Sequence, residues 1–181
     1  MENPKIKNIL QLGEIMKIKF EDLEYQNDAI NSIVKIFEGQ ESLESNFTVQ
    51  IANNTQLELG HNSTELTDLG IANNIKIYEE EILQNIQKIQ LENGLAQTKK
   101  IDTKNMNFCI EMETGTGKTY VYLKTIMELN KKYGFKKFII VVPSIAIKEG
   151  TNKSLEMTKD NFKGLFDNVN YNYFTYDSSK L

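Results

Sequence analysis

Eight residues limit what this chain can become more than any others: Met112-Glu113-Thr114-Gly115-Thr116-Gly117-Lys118-Thr119. Their Gly-Thr-Gly-Lys-Thr core reads as a phosphate-binding P-loop. The setting strengthens the motif, because an apolar run, Met106 to Met112, precedes it and a helical pattern opens near Thr119. Gly115 and Gly117 lack a Cβ, so the backbone can turn tightly and approach a phosphate. Successive backbone N–H groups then make a concave anion site at a helix start. Lys118 is placed to reach β- and γ-phosphates as a point charge, and the Thr119 hydroxyl to ligate Mg²⁺. Thr114 and Thr116 add hydroxyl donors or cap the helix. The strict motif begins with glycine, where this chain has Met112. Glu113 is unfavourable beside polyphosphate unless its carboxylate points away.

The flanks set the expected fold class. Met106 to Met112 reads as the strand entering the loop, with Glu111 an odd guest in a buried strand and Cys109 a small core residue. Tyr122, Thr125, Ile126, Leu129 and Tyr133 mark the buried face of the following helix, which Gly134 ends. Lys137 to Val142 is a continuous β-branched run, the pattern of a strand covered on both faces, and Pro143 closes it. Strand, loop, helix, strand is a βαβ unit, expected to be right-handed and parallel. Ligand would sit at the carboxyl end of the first strand. Ser144 can cap a further helix through roughly Thr158, and Tyr171 to Tyr176 is β-prone, a candidate third strand. The expected class is therefore α/β, a parallel sheet flanked by helices.

Upstream, Ile30, Ile33, Val34 and Phe37 give an amphipathic helix stopped near Gly39. Ile75, Tyr78, Ile82, Ile86 and Ile89 give another, ended by Asn93-Gly94. Between them, residues 44–72 are rich in Asn, Thr and Ser and read as an irregular excursion that includes an exposed His61. One cysteine excludes a disulfide framework. The longest apolar run, Phe138 to Val142, is far too short for a membrane span. No secretion signal is recognisable at the N-terminus, so cytoplasmic residence is the expectation. The net charge of −4 gives no general affinity for polyanions.

The loop with the segment Lys132-Tyr133-Gly134-Phe135-Lys136-Lys137-Phe138-Ile139-Ile140-Val141-Val142-Pro143-Ser144-Ile145-Ala146 closely resembles the restriction (Res) subunit of type III restriction-modification enzymes. Asn85 to Leu95 and Phe20 to Gln26 resemble the same family, which also shows Met112 in place of the first loop glycine. The resemblance implies a superfamily-two helicase-like motor, with a RecA-like P-loop NTPase lobe behind an N-terminal helical and irregular extension. It divides the chain into an N-terminal segment, 1–43, an insertion, 44–74, and an incomplete first lobe, 75–181. It implies ATP and Mg²⁺ as cofactors, with Gly115, Gly117, Lys118 and Thr119 as motif I. Gln26 matches the glutamine that recognises adenine in such motors, with Tyr25 stacking on the base. Pro143, Ser144 and Ala146 fall where motif Ia touches the DNA backbone. The implied partners are double-stranded DNA, a methyltransferase (Mod) subunit and the remainder of the Res polypeptide, with no membrane.

Such a motor also needs an acidic Walker B box. The acids after Pro143 are Glu149, Glu156, Asp160, Asp167 and Asp177, none of them paired after a hydrophobic strand. The chain is thus expected to be the N-terminal part of a larger ATP-dependent endonuclease subunit, able to bind nucleotide but not to turn it over alone. The alternatives are a non-catalytic remnant and, with less support, a small P-loop nucleotide kinase, whose loop usually lies nearer the N-terminus.

Overall fold

The computed structural model describes residues 20–42, 73–102 and 106–176. The excursion at 44–72, with His61, lies outside them. Helix α1, Glu24–Val34, tightens into a 3-10 turn, Lys35–Phe37. Then come α2, Glu79–Glu92, α3, Lys118–Tyr133, and α4, Ile145–Leu165.

Each helix forms where apolar spacing and end chemistry agree. In α2 the buried residues are Ile82 and Ile86, on the expected stripe, while Ile75 and Tyr78 are exposed. Glu79, Glu80 and Glu81 fill its first turn, where carboxylates complement the helix dipole. Glu81 also accepts from the Tyr78 backbone N–H at 3.2 Å. The turn at Asn93-Gly94 closes the helix as expected, with the Leu95 N–H donating to the Gln90 carbonyl at 2.8 Å. The Ser144 hydroxyl caps α4 by accepting from the Ile147 N–H at 3.3 Å. That helix runs seven residues past Thr158, carried by Thr151, Leu155, Thr158 and Phe162 on one buried face.

Helix α3 is the centre of the molecule. Its Val121, Leu129 and Tyr133 pack with Ile30 and Val34 of α1 and with Phe135. Its Leu123 and Met127 pack with Leu155, Phe162 and Phe166. A third cluster joins Ile36 and Ile77 to Ile82 and Ile86 of α2. Fully burying one such side chain is worth about 1.5–3 kcal/mol. The Tyr133 hydroxyl donates to the Val34 carbonyl at 2.8 Å, fastening the end of α3 to the end of α1.

The expected parallel sheet is not found: the described residues hold four α-helices and no strand. A strand is defined by its ladder, and neither apolar run carries one. In the run 106–112, Met106 and Met112 pack inward, while Cys109 and Glu111 are exposed. Cys109 is therefore not the core residue it was expected to be. Glu111 is no longer an odd guest, because it lies on the open face. In the second run Phe138 packs on the α1–α3 cluster, but Ile139 is 92% and Val141 87% exposed. Helices cover one face of this run, not the two that a buried parallel strand requires. The Asn73 side chain stands in for part of a ladder. It donates to the Lys137 carbonyl at 2.7 Å and accepts from the N–H groups of Lys136 and Lys137 at 2.9 and 3.1 Å. The tail 171–176 likewise forms no strand; the Tyr171 hydroxyl donates to the Leu155 carbonyl at 3.0 Å.

Candidate nucleotide-binding site

The loop lies between the run ending at Met112 and the start of α3. Met112 is half-buried and packs on the α1–α3 cluster, which accounts for an apolar residue where the strict motif has glycine. Gly115 and Gly117 adopt φ +83° and +82°, left-handed conformations that other residues reach only with strain. The Thr116 hydroxyl donates to the Glu113 carbonyl at 2.7 Å. The Lys118 ammonium donates to the carbonyls of Met112 at 3.0 Å and Glu113 at 2.7 Å. The loop therefore closes on itself through Lys118. Glu113 is exposed, and it is its carbonyl that takes part in this closure.

Two residues some ninety positions upstream meet this loop. Gln26, at the start of α1, is 8% exposed, and its Nε2 donates to the Thr116 carbonyl at 2.9 Å. The Tyr25 hydroxyl donates to the same carbonyl at 3.4 Å. A Cβ on Gly117 would lie 2.6 Å from Gln26 Nε2, so the close approach of Gln26 requires glycine there.

Beside Gln26 lies a small cavity of about 330 Å³, lined by Phe20, Glu21, Leu23, Gln26 and Tyr120. Phe20 stacks on Tyr120 with ring centroids 5.3 Å apart and planes 10° apart. Burial pushes the Tyr120 hydroxyl pKa up. A larger space of about 1160 Å³ separates α1 and α2 from the run 106–113. Tyr25 lines this larger space and Gln26 the smaller, so the pair parts toward two cavities. The smaller one is an open depression bordered by the stacked Phe20 and Tyr120 rings and the Gln26 amide. The larger one is the space between the run 106–113 and the helices α1 and α2.

The residues present fit a phosphate ligand. The N-terminus of α3 carries no acid in its first turn, and Lys118 and the half-buried Thr119 open that helix. Thr114 is exposed at the turn. Pro143, Ser144 and Ala146 gather at the N-terminus of α4, all exposed, with the Ser144 hydroxyl engaged as its cap.

Sequence reasoning did not find Phe20, Tyr120, Asp22, Asn27 or Lys124. The Lys124 ammonium donates to Asp22 Oδ1 at 3.1 Å and to Asn27 Oδ1 at 3.0 Å, and Asn27 Nδ2 donates to Asp22 Oδ1 at 2.9 Å. The Asn27 amide first, and the Lys124 ammonium second, hold the Asp22 carboxyl below the usual carboxylate range. Their partners lie about a hundred positions apart, and no local period can pair them. The usable signal was the position of Asp22 and Asn27 on either side of Gln26.

Comparisons with known proteins bear on the loop and on α3, whereas the family match begins after Tyr25 and Gln26. The family model described as "Type III restriction enzyme, res subunit" matches residues 72–178, more than half of the chain. The chain is 44% identical over 92 residues to the Res subunit of the type III restriction-modification enzyme EcoP15I of Escherichia coli, covering 49% of this chain and 10% of that protein. It is 42% identical over 92 residues to the EcoPI Res subunit of Escherichia phage P1, with the same coverage. It is 45% identical over 65 residues to the StyLTI Res subunit of Salmonella typhimurium, covering 35% of this chain and 7% of that protein. The match thus spans a tenth or less of these relatives' length. No helix among the described residues is long and apolar enough to cross a membrane. The matched residues contain the whole loop and the segment after it, and the chain belongs to the type III restriction enzyme Res subunit family.

Proposed function

We propose that this chain is the ATP-binding portion of an ATP-dependent, helicase-like DNA motor that drives cleavage by a type III restriction endonuclease. The backbone N–H groups around Gly115 and Gly117, the Thr114 and Thr116 hydroxyls and the Lys118 ammonium hold the phosphates. The Thr119 hydroxyl is the protein ligand for Mg²⁺. Gln26 reads the adenine edge, and the Tyr25 hydroxyl braces the loop at the same Thr116 carbonyl. Pro143, Ser144 and Ala146 contact the backbone of double-stranded DNA. The division into an N-terminal segment, 1–43, an insertion, 44–74, and a nucleotide-binding unit, 75–181, follows these roles. A methyltransferase subunit supplies site recognition, and the assembly works in the cytoplasm.

The observation that carries this reading is the Gln26 side chain on the Thr116 carbonyl at 2.9 Å. A glutamine brought from 90 residues away onto a P-loop carbonyl supports a role for the upstream segment in nucleotide selection at that loop. The family match and the exposure of Pro143, Ser144 and Ala146 support the wider motor role. Bound phosphate would release Lys118 from the Met112 and Glu113 carbonyls, exchanging neutral acceptors for charged ones. Calorimetric titration with ATP and Mg²⁺ tests the reading. Wild type binds, and Lys118→Ala loses at least about tenfold in affinity, since a hydrogen bond to a charged group is worth about 1.5–3 kcal/mol. Equal binding by the two proteins would refute the loop's assigned role.

A further inference from the structure

Residues 20–27 are held against α3 at two neighbouring points. Tyr120 and Lys124 are four residues apart, so they share one face of that helix. Tyr120 takes Phe20 in a parallel stack at 5.3 Å. Lys124 takes Asp22 and Asn27, at 3.1 and 3.0 Å. The Lys124 side chain is 13% exposed and that of Asp22 75%, so the lysine is held against the helix while the carboxylate end of the pair is open to solvent. Asn27 completes a closed ring by donating to Asp22 at 2.9 Å. Gln26 stands next to one corner of the ring and contributes to the cavity that Phe20 and Tyr120 wall.

We propose that Lys124 is a positioning residue for purine recognition: by clasping Asp22 and Asn27 to α3 it sets the Gln26 amide at the base cavity. This rests on the adenine-reading role of Gln26 given above. Lys124 lies six residues beyond Lys118 and serves the base end of the ligand, not the phosphate end. The ligand class is a purine nucleotide selected by the hydrogen-bonding edge of its base. Three ligands separate the two ends: ATP, GTP and inorganic tripolyphosphate, the last of which has no base.

The test is calorimetric titration of all three into the 181-residue chain and its variants Lys124→Met, Lys124→Arg and Asp22→Ala. Lys124→Met lowers the ratio of ATP to GTP affinity about two- to fivefold, the range expected for loss of one solvent-exposed ion pair, and leaves tripolyphosphate affinity unchanged. Lys124→Arg restores most of the ratio. Asp22 is exposed, so its replacement shifts the ratio the same way without threatening the fold. An unchanged ratio in both Lys124→Met and Asp22→Ala overturns the proposal while leaving Gln26 its role. An equal loss for all three ligands also overturns it, by showing a purely structural lysine. A wild type that binds ATP and GTP alike overturns the Gln26 reading, and the assignment of Lys124 with it.

Discussion

Gly117 meets two demands at once. Its φ of +82° favours glycine, and its missing Cβ leaves the space that Gln26 Nε2 occupies 2.6 Å away. Gly115 shares the first demand but not the second, since a Cβ there meets nothing within 4 Å. The two substitutions should therefore differ. Gly115→Ala costs about 1–2 kcal/mol from backbone strain, read as a lower melting midpoint, and keeps any base preference. Gly117→Ala costs about as much in backbone strain and also pushes Gln26 off the Thr116 carbonyl, so base preference falls as well. Thermal melts paired with ATP and GTP titrations distinguish the two. The loop's glycines were legible in the sequence because their chemistry is local. The second role of Gly117 was not, because the neighbour that creates it is Gln26, on another helix.

At the scale of elements, α3 is covered on two sides, and this explains what its sequence concealed. A single stripe predicts Tyr122, Thr125, Ile126, Leu129 and Tyr133. Of these the structure buries Thr125, Leu129 and Tyr133 and leaves Tyr122 and Ile126 half-buried, and it buries Val121, Leu123 and Met127 as well, because α1 lies on one side and α4 on another. Phe162, 0% exposed at the α3–α4 contact, is the most consequential of these core positions. Phe162→Ala should lower stability by about 3–5 kcal/mol in urea unfolding. Ser144→Ala should cost about 1 kcal/mol through loss of the α4 cap, independent of DNA. The joint between residues 20–27 and α3 should weaken in acid. Asp22 is held below the usual carboxylate range, so its contribution is complete above an unfolded aspartate's value of about 3.9 and is lost as pH falls through the lower folded value. The melting difference between wild type and Asp22→Ala should hold constant from about pH 7 to 5 and close below about pH 4. Helix starts and stops at Asn93-Gly94, Gly134 and Ser144 were readable because caps are local. The two apolar runs were misread as paired strands, because a β-prone sequence does not reveal whether a ladder partner lies beside it.

Over the whole molecule as described, residues 20–42, 73–102 and 106–176, three apolar clusters are joined into one body. Helix α3 contributes to two of them, and Ile33 and Phe37 pack against both the α1–α3 and the α2 cluster. Far-UV dichroism and tyrosine fluorescence should therefore report coincident unfolding transitions in urea, whereas separated transitions would mean that the clusters unfold independently. Gln40 strengthens the union: its amide oxygen accepts from the N–H groups of Lys76 and Ile77 at 2.8 and 3.3 Å. The open faces at Ile139 and Val141 are the other side of this architecture. In the proposed reading a P-loop and a distant glutamine together form an adenine nucleotide site. Its most direct test is the affinity of wild type and Gln26→Ala for ATP and for GTP, each with Mg²⁺, measured by titration calorimetry. Wild type should prefer ATP, and Gln26→Ala should bind the two nucleotides alike. A Gln26→Ala protein that keeps the full wild-type preference for ATP would contradict it.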